Sequence, residues 1–201
     1  MKKILTLFVL PIIIIGIGYA IYSSLQEPVE FNRVKSAREK VAVQRLKDIR
    51  TLQVAFKTQH GKFTSNIDSL IDFYNNGTIT IIKQIGSMDD SLAVANKMVR
   101  RDSVKIQVKD TLIKRDDFVA NDLKTIPFSG GKSVLMQAAV KKVSGVDVPL
   151  FEAAMPYEVL LLGLDHQLQV NLKAEREDIG KYNGLKVGSI DAPNNNAGNW
   201  E

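Results

Sequence analysis

RVKSAREKVAVQRLKDIRTLQVAFKTQHG (33–61) decides the fold. It runs without glycine or proline from Arg33 to His60, and Gly61 then supplies a left-handed stop, so it reads as one long helix. Ala42, Leu46, Ile49, Leu52 and Phe56 recur three or four residues apart, forming an apolar stripe that must bury against a partner layer. Lys40 and Lys47 project from roughly the opposite face, with Arg50 and Lys57 on its flank.

On the N-terminal side lies the uncharged stretch ILTLFVLPIIIIGIGYAIY (4–22), long enough as a helix to cross a bilayer. Tyr19 and Tyr22 fall where an interfacial aromatic belt would lie, and membrane helices tolerate Pro11, Gly16 and Gly18. An uncleaved signal-anchor over 1–22 is expected; a cleaved signal peptide is the alternative, against which bulky Ile21 and Tyr22 crowd the Ser23-Ser24 site. Lys2 and Lys3 precede the stretch, and Glu27 and Glu30 come after it before Arg33. This asymmetry predicts a single pass through the inner membrane, with a cytoplasmic N-terminus and a periplasmic main domain. Residues 23–32 read as a linker broken at Pro28, and 33–201 as the extracytoplasmic domain.

Beyond Gly61, a shorter helix capped by Ser65 or Asn66 would bury Ile67, Leu70, Ile71 and Tyr74. TITIIKQI (78–85), SVKIQVKD (103–110) and TLIK (111–114) have strand texture. Asp89/Asp90 and Arg100/Arg101 bracket a short helical segment. Val134–Val143 and Val146–Ala154 read as a hairpin turning at Ser144-Gly145, with a further strand over Glu158–Leu162; Pro149 and Pro156 push parts of this region toward sheet edges. Asp165 caps a last helix ending at Gly180, and GLKVGSI (184–190) closes the chain's regular structure. The expected class is α+β: a membrane helix, a long amphipathic helix on a mainly antiparallel sheet, and one or two short helices.

The residue inventory excludes much chemistry. The 201 residues include no cysteine and only His60 and His166, so disulfides, thiolate metal sites, cysteine nucleophiles and all-histidine metal sites are ruled out. FSGGKS (128–133) lacks the first glycine of a phosphate loop and reads as a turn. Asp89/Asp90 and Asp116/Asp117 are adjacent pairs that diverge on a helix or strand, and serve as caps or turn residues rather than catalytic dyads. No cofactor, metal or reaction is expected.

Charge is unevenly spread. Residues 33–62 carry nine Lys/Arg against Glu39 and Asp48, whereas 63–201 are slightly acidic. The first reading of that basic face is a solvated one; anionic lipid or an envelope polymer is the second, and nucleic acid is not expected. Trp200, the sole tryptophan, either folds back onto the sheet or anchors a partner.

The run 37–70, with Ala55-Phe56 and then Gly61-Lys62-Phe63-Thr64 before Ile67 and Leu70, resembles the N-terminal half of type IV pilins and type II secretion pseudopilins. In that family a half-buried helix carries an alanine–aromatic pair, then a Gly-x-Tyr-Pro step and a short helix; Phe63 stands for the tyrosine and Thr64 for the proline. The chain departs from the family in having Lys3 before Ile4, not the processing glycine, and no carboxylate in 4–22. VPLFEAAMPYEVLLLGLDHQLQVNL (148–172) and residues 184–201 also resemble single-pass envelope proteins of Bacteroidetes. These resemblances imply a non-enzymatic, membrane-anchored structural or complex subunit that contacts itself or other envelope proteins. The alternative is a solitary anchored protein that binds a small ligand or envelope polymer.

Overall fold

α1 runs unbroken through fifty-one residues, Leu10–His60, and is rich in strong helix formers from Leu25 onward, in a computed structural model that describes residues 9–85 and 100–201. Gly61 terminates it at φ 74°, its N–H returning to the Lys57 carbonyl at 2.8 Å. The linker expected over 23–32 is therefore helix, with Pro28 inside it. A proline removes one backbone bond at a cost of about 3 kcal/mol, which a long helix with good flanks absorbs. Ser24, whose carbonyl loses its bond, is exposed and can be hydrated. Phe31 is already buried, so the folded domain starts within the span expected to be linker.

Residues 10–30 of α1 are exposed almost throughout, whereas Ala42, Leu46, Ile49 and Leu52 are fully buried and Phe56 packs half-buried at the core's margin. The predicted stripe is thus the helix's contact face. Next comes α2, Ile67–Asn76, with Asn66 accepting the Asp68 N–H at 2.8 Å as its cap. Leu70, Ile71 and Phe73 are buried on it, and Ile67 and Tyr74 partly so.

The strands form two antiparallel sheets rather than one. β1 (Thr78–Ile85) pairs with β2 (Arg100–Gln107) as a separate ribbon, from Thr78 opposite Gln107 to Ile85 opposite Arg100. The helical segment expected between the Asp89/Asp90 and Arg100/Arg101 pairs lies outside the described residues except at its arginines, which belong to β2. The strand texture of 108–114 does not become strand. Val108 is fully buried, donates its N–H to the Gly77 carbonyl at 3.0 Å and starts a single helical turn, α3 (Val108–Thr111). Burial of Val108 under α2 overrides local β preference.

The second sheet runs β3-β4-β5, with β3 Leu135–Val143, β4 Val146–Pro156 and β5 Gly184–Gly188. Ser144 (φ 51°) and Gly145 (φ 86°) form the two-residue turn, both left-handed as a tight hairpin of this twist requires. β4 is central, yet β5 pairs only with Glu152–Pro156, so Pro149 sits where β4 has no neighbour on that side. The strand expected at 158–162 is instead the helical turn α4 (Tyr157–Leu160), continued by a turn over 161–163. Leu160 and Leu161 are both buried, which consecutive positions of an alternating strand cannot achieve on one face. The last helix, α5 (His166–Asp178), takes its cap from the Asp165 carboxylate to the Leu168 N–H at 2.7 Å. α1 lies across β4 and β5, flanked by α2 and α4, and the core fills that interface.

Candidate functional site

The domain half of α1 presents two stripes. Positions 42, 46, 49, 53 and 56 face the core, while Lys40, Gln44, Lys47, Thr51, Val54 and Thr58, again three or four apart, are exposed on the other side. The hydroxyls of Thr51 and Thr58 return to the Lys47 and Val54 carbonyls at 2.9 and 3.0 Å, so this outer face is less polar than its sequence. Lys40 and Lys47 lie on it without an ion-pair partner among the described residues.

The flanking cations do structural work. The guanidinium of Arg50 donates to Glu201 at 2.6 Å, and Lys57 sits 5.1 Å over the Phe63 ring. Arg38 donates to the carbonyls of Leu160 and Leu162 at 3.0 and 2.9 Å, and Arg45 to those of Asp122 and Thr125 at 2.8 and 2.7 Å. Four basic residues of the helix are thus pins that tie other segments to it, while Lys40 and Lys47 on the outer stripe stay solvent-exposed.

A groove of about 340 Å³ separates α1 from the 115–123 segment, with Lys40, Gln44, Asp48, Arg115 and Phe118 among its walls. Arg115 pairs with Asp48 at 2.6 Å, and Gln44 donates to the same carboxylate at 3.1 Å. Burial raises the Asp48 carboxyl above its ordinary range, outweighing those two hydrogen bonds and the arginine's charge. A second polar cluster joins Tyr157 to the Glu39 carboxylate, with Lys35 at 3.7 Å from Glu39 and the Arg176 guanidinium 4.9 Å over the tyrosine ring. Desolvation and then Glu39 push the Tyr157 hydroxyl well up, so it stays a donor.

Gln53 was not singled out by sequence reasoning, although it falls on the buried 42–46–49–53–56 spacing as its one polar member. It is fully buried, and its amide donates to the Thr64 carbonyl at 2.6 Å and accepts the Thr64 N–H at 3.1 Å. That clamp fixes the loop between α1 and α2. Trp200 folds back onto the core, half-buried, as the first of its two readings had it.

His60 stacks on Phe56 at 4.2 Å and meets Phe73 edge-on at 5.9 Å, while His166 opens α5 in solvent. Gly130 and Gly131, at φ 68° and 97°, make the 128–133 stretch a turn held by the Ser129 hydroxyl, which donates to the Ile126 carbonyl at 2.6 Å. Among the described residues no three His, Asp or Glu side chains converge as metal ligands would. Comparison with known protein families, curated proteins and solved structures finds no match to this chain.

Proposed function

We propose that the chain is a non-enzymatic, single-pass subunit of a cell-envelope assembly, pilin-like in plan, anchored in the inner membrane with its main domain in the periplasm. The observation that carries this reading is the continuity of α1. Its first third is apolar and exposed, suited to a bilayer, and the same unbroken helix then supplies the core of the domain. Anchor and domain are therefore coupled along one axis, which suits a subunit whose outer stripe, from Lys40 to Thr58, meets a neighbour.

The cysteine-free background offers a direct test. Single cysteines replacing Lys40, Lys47 and Lys57 are cross-linked in intact cells and the membrane fraction is examined. A ladder of self-multimers supports assembly with other copies, and a discrete heterologous adduct supports a dedicated complex. Monomer alone from all three positions overturns the proposal.

The second reading, a solitary binding protein, draws on the 340 Å³ groove beside Asp48 and Arg115. Ligand-dependent stabilisation that Arg115→Ala abolishes would favour it.

A further inference from the structure

The three-stranded sheet has two edges, treated differently. Along β5, the Gly188 N–H donates to the Ala197 carbonyl, the Asn199 N–H to the Lys186 carbonyl, and the Asn199 side chain accepts from the Lys186 N–H, each at 3.0 Å. That edge is covered. β3, the other outer strand, has no backbone partner on its free side among the described residues.

Its free groups are set by the register. A two-residue turn makes Val143 and Val146 a hydrogen-bonded pair, and alternation then directs Leu135, Gln137, Ala139 and Lys141 at β4. The N–H and C=O groups of Met136, Ala138, Val140 and Lys142 are left on the open edge. Pro149, opposite Val140, agrees with this phase, because its nitrogen then points away from β3 and costs the ladder nothing.

Beside the edge lies a groove of about 330 Å³, walled by Phe56, Phe63, Thr64, Ala138 and Val140. Lys62 also lines it, Lys57 lies over the Phe63 ring, and Lys142 continues the face of Ala138 and Val140 by strand alternation. No acidic side chain lines this groove, and these three lysines form no ion pair among the described residues, even though Asp147 stands opposite Lys142 in register.

We infer that the β3 edge is a docking site for an extended, acidic segment of a partner protein, added as a fourth strand. The main-chain groups of Met136 to Lys142 supply the ladder, the Phe56–Phe63 groove takes apolar side chains, and Lys57, Lys62 and Lys142 select negative charge. An exposed edge is usually protected by lysines or proline against indiscriminate pairing. Here the same lysines bias the edge toward one class of strand. The inference rests on the complex-subunit reading only in needing a partner. Cross-linking from Lys40 and Lys47 probes the outer stripe of α1, a different surface from the β3 edge, so either reading can fail without the other.

The test uses the full chain in detergent micelles and a fluorescein-labelled peptide, Glu-Thr-Val-Thr-Val-Thr-Glu, monitored by anisotropy. The version with lysine in place of glutamate should not bind. Two further peptides carry N-methyl groups on one or the other alternate set of backbone amides; one set should weaken binding by at least about tenfold and the other should be tolerated, since a strand pairs through one edge. The double variant K62E/K142E should bind the acidic peptide roughly tenfold more weakly and acquire affinity for the lysine version. Equal binding of both charge versions, equal effects of the two N-methylated peptides, absence of binding, or association of the chain only with its own copies would each overturn the inference.

Discussion

Replacing Gln53 by leucine keeps the volume of the side chain but removes both bonds to Thr64, one at 2.6 Å and one at 3.1 Å. Each orphaned backbone group costs about 1–3 kcal/mol when buried. Thr64 is half-buried, so water can reach it in part, and the summed penalty is about 2–3 kcal/mol. A domain of this size loses roughly 2–4 °C of Tm per kcal/mol, so Gln53→Leu should unfold about 5–10 °C lower. Trp200, the sole tryptophan and packed on the core, reports unfolding by its fluorescence in the detergent-solubilised full chain. Gln53→Glu adds a pH arm. The protonated carboxyl can donate to the Thr64 carbonyl and accept from its N–H as the amide does, whereas the carboxylate is buried against the carbonyl oxygen and cannot donate. Its folded pKa is therefore raised above the unfolded value. The deficit of Gln53→Glu relative to wild type should be smallest at pH values below the unfolded glutamate range and grow as pH rises through it. A Gln53→Leu Tm within about 1 °C of wild type, or a Gln53→Glu deficit that does not vary with pH, would refute the clamp.

The Asp48–Arg115 pair should be asymmetric. Arg115→Ala leaves a buried carboxylate without its cation and should lower Tm by about 3–6 °C, whereas Asp48→Asn should be near neutral at pH 7, because the raised carboxyl shows that ionising it in the fold is already costly. For the same reason wild type should gain on Asp48→Asn as pH falls toward and below the unfolded aspartate range; a constant difference would contradict the raised value. Two residues along the helix from Asp48, the hydrogen bond from Arg50 holds the Glu201 carboxyl below its ordinary range, so its contribution is present at neutral pH and lost as pH falls through the folded value. A carbon-detected NMR titration should find that midpoint returning toward the ordinary glutamate range in Arg50→Ala, and an unmoved midpoint would place the cause elsewhere.

Where the chain's own neighbours decide the conformation, the sequence was readable. Gly61 stops α1, Asn66 and Asp165 cap α2 and α5, and Ser144-Gly145 closes the β3–β4 hairpin, all through groups within a few residues. The apolar stripe of α1 was readable for a related reason: helical periodicity tells which positions share a face before anything is known of the facing layer. The candidate site was less legible. Gln53 lay on the right spacing, but its partner Thr64 is across a turn, and Arg38 and Arg45 find their carbonyls 77 to 124 positions away. A list of basic residues cannot distinguish such pins from solvated lysines.

Sequence by itself therefore determined the α+β class, the apolar N-terminal segment, the long amphipathic helix of the domain, and most element ends, because propensity, periodicity and capping act over a few residues. Tertiary structure alone decided that Val108 and Leu160–Leu161 leave strand geometry for buried turns, and that the strands divide into a ribbon and a separate sheet. It also left β3 open while covering β5. Each of these depends on burial against, or hydrogen bonding to, groups distant in the chain, and those energies of several kcal/mol outweigh local preferences of about 1 kcal/mol per residue.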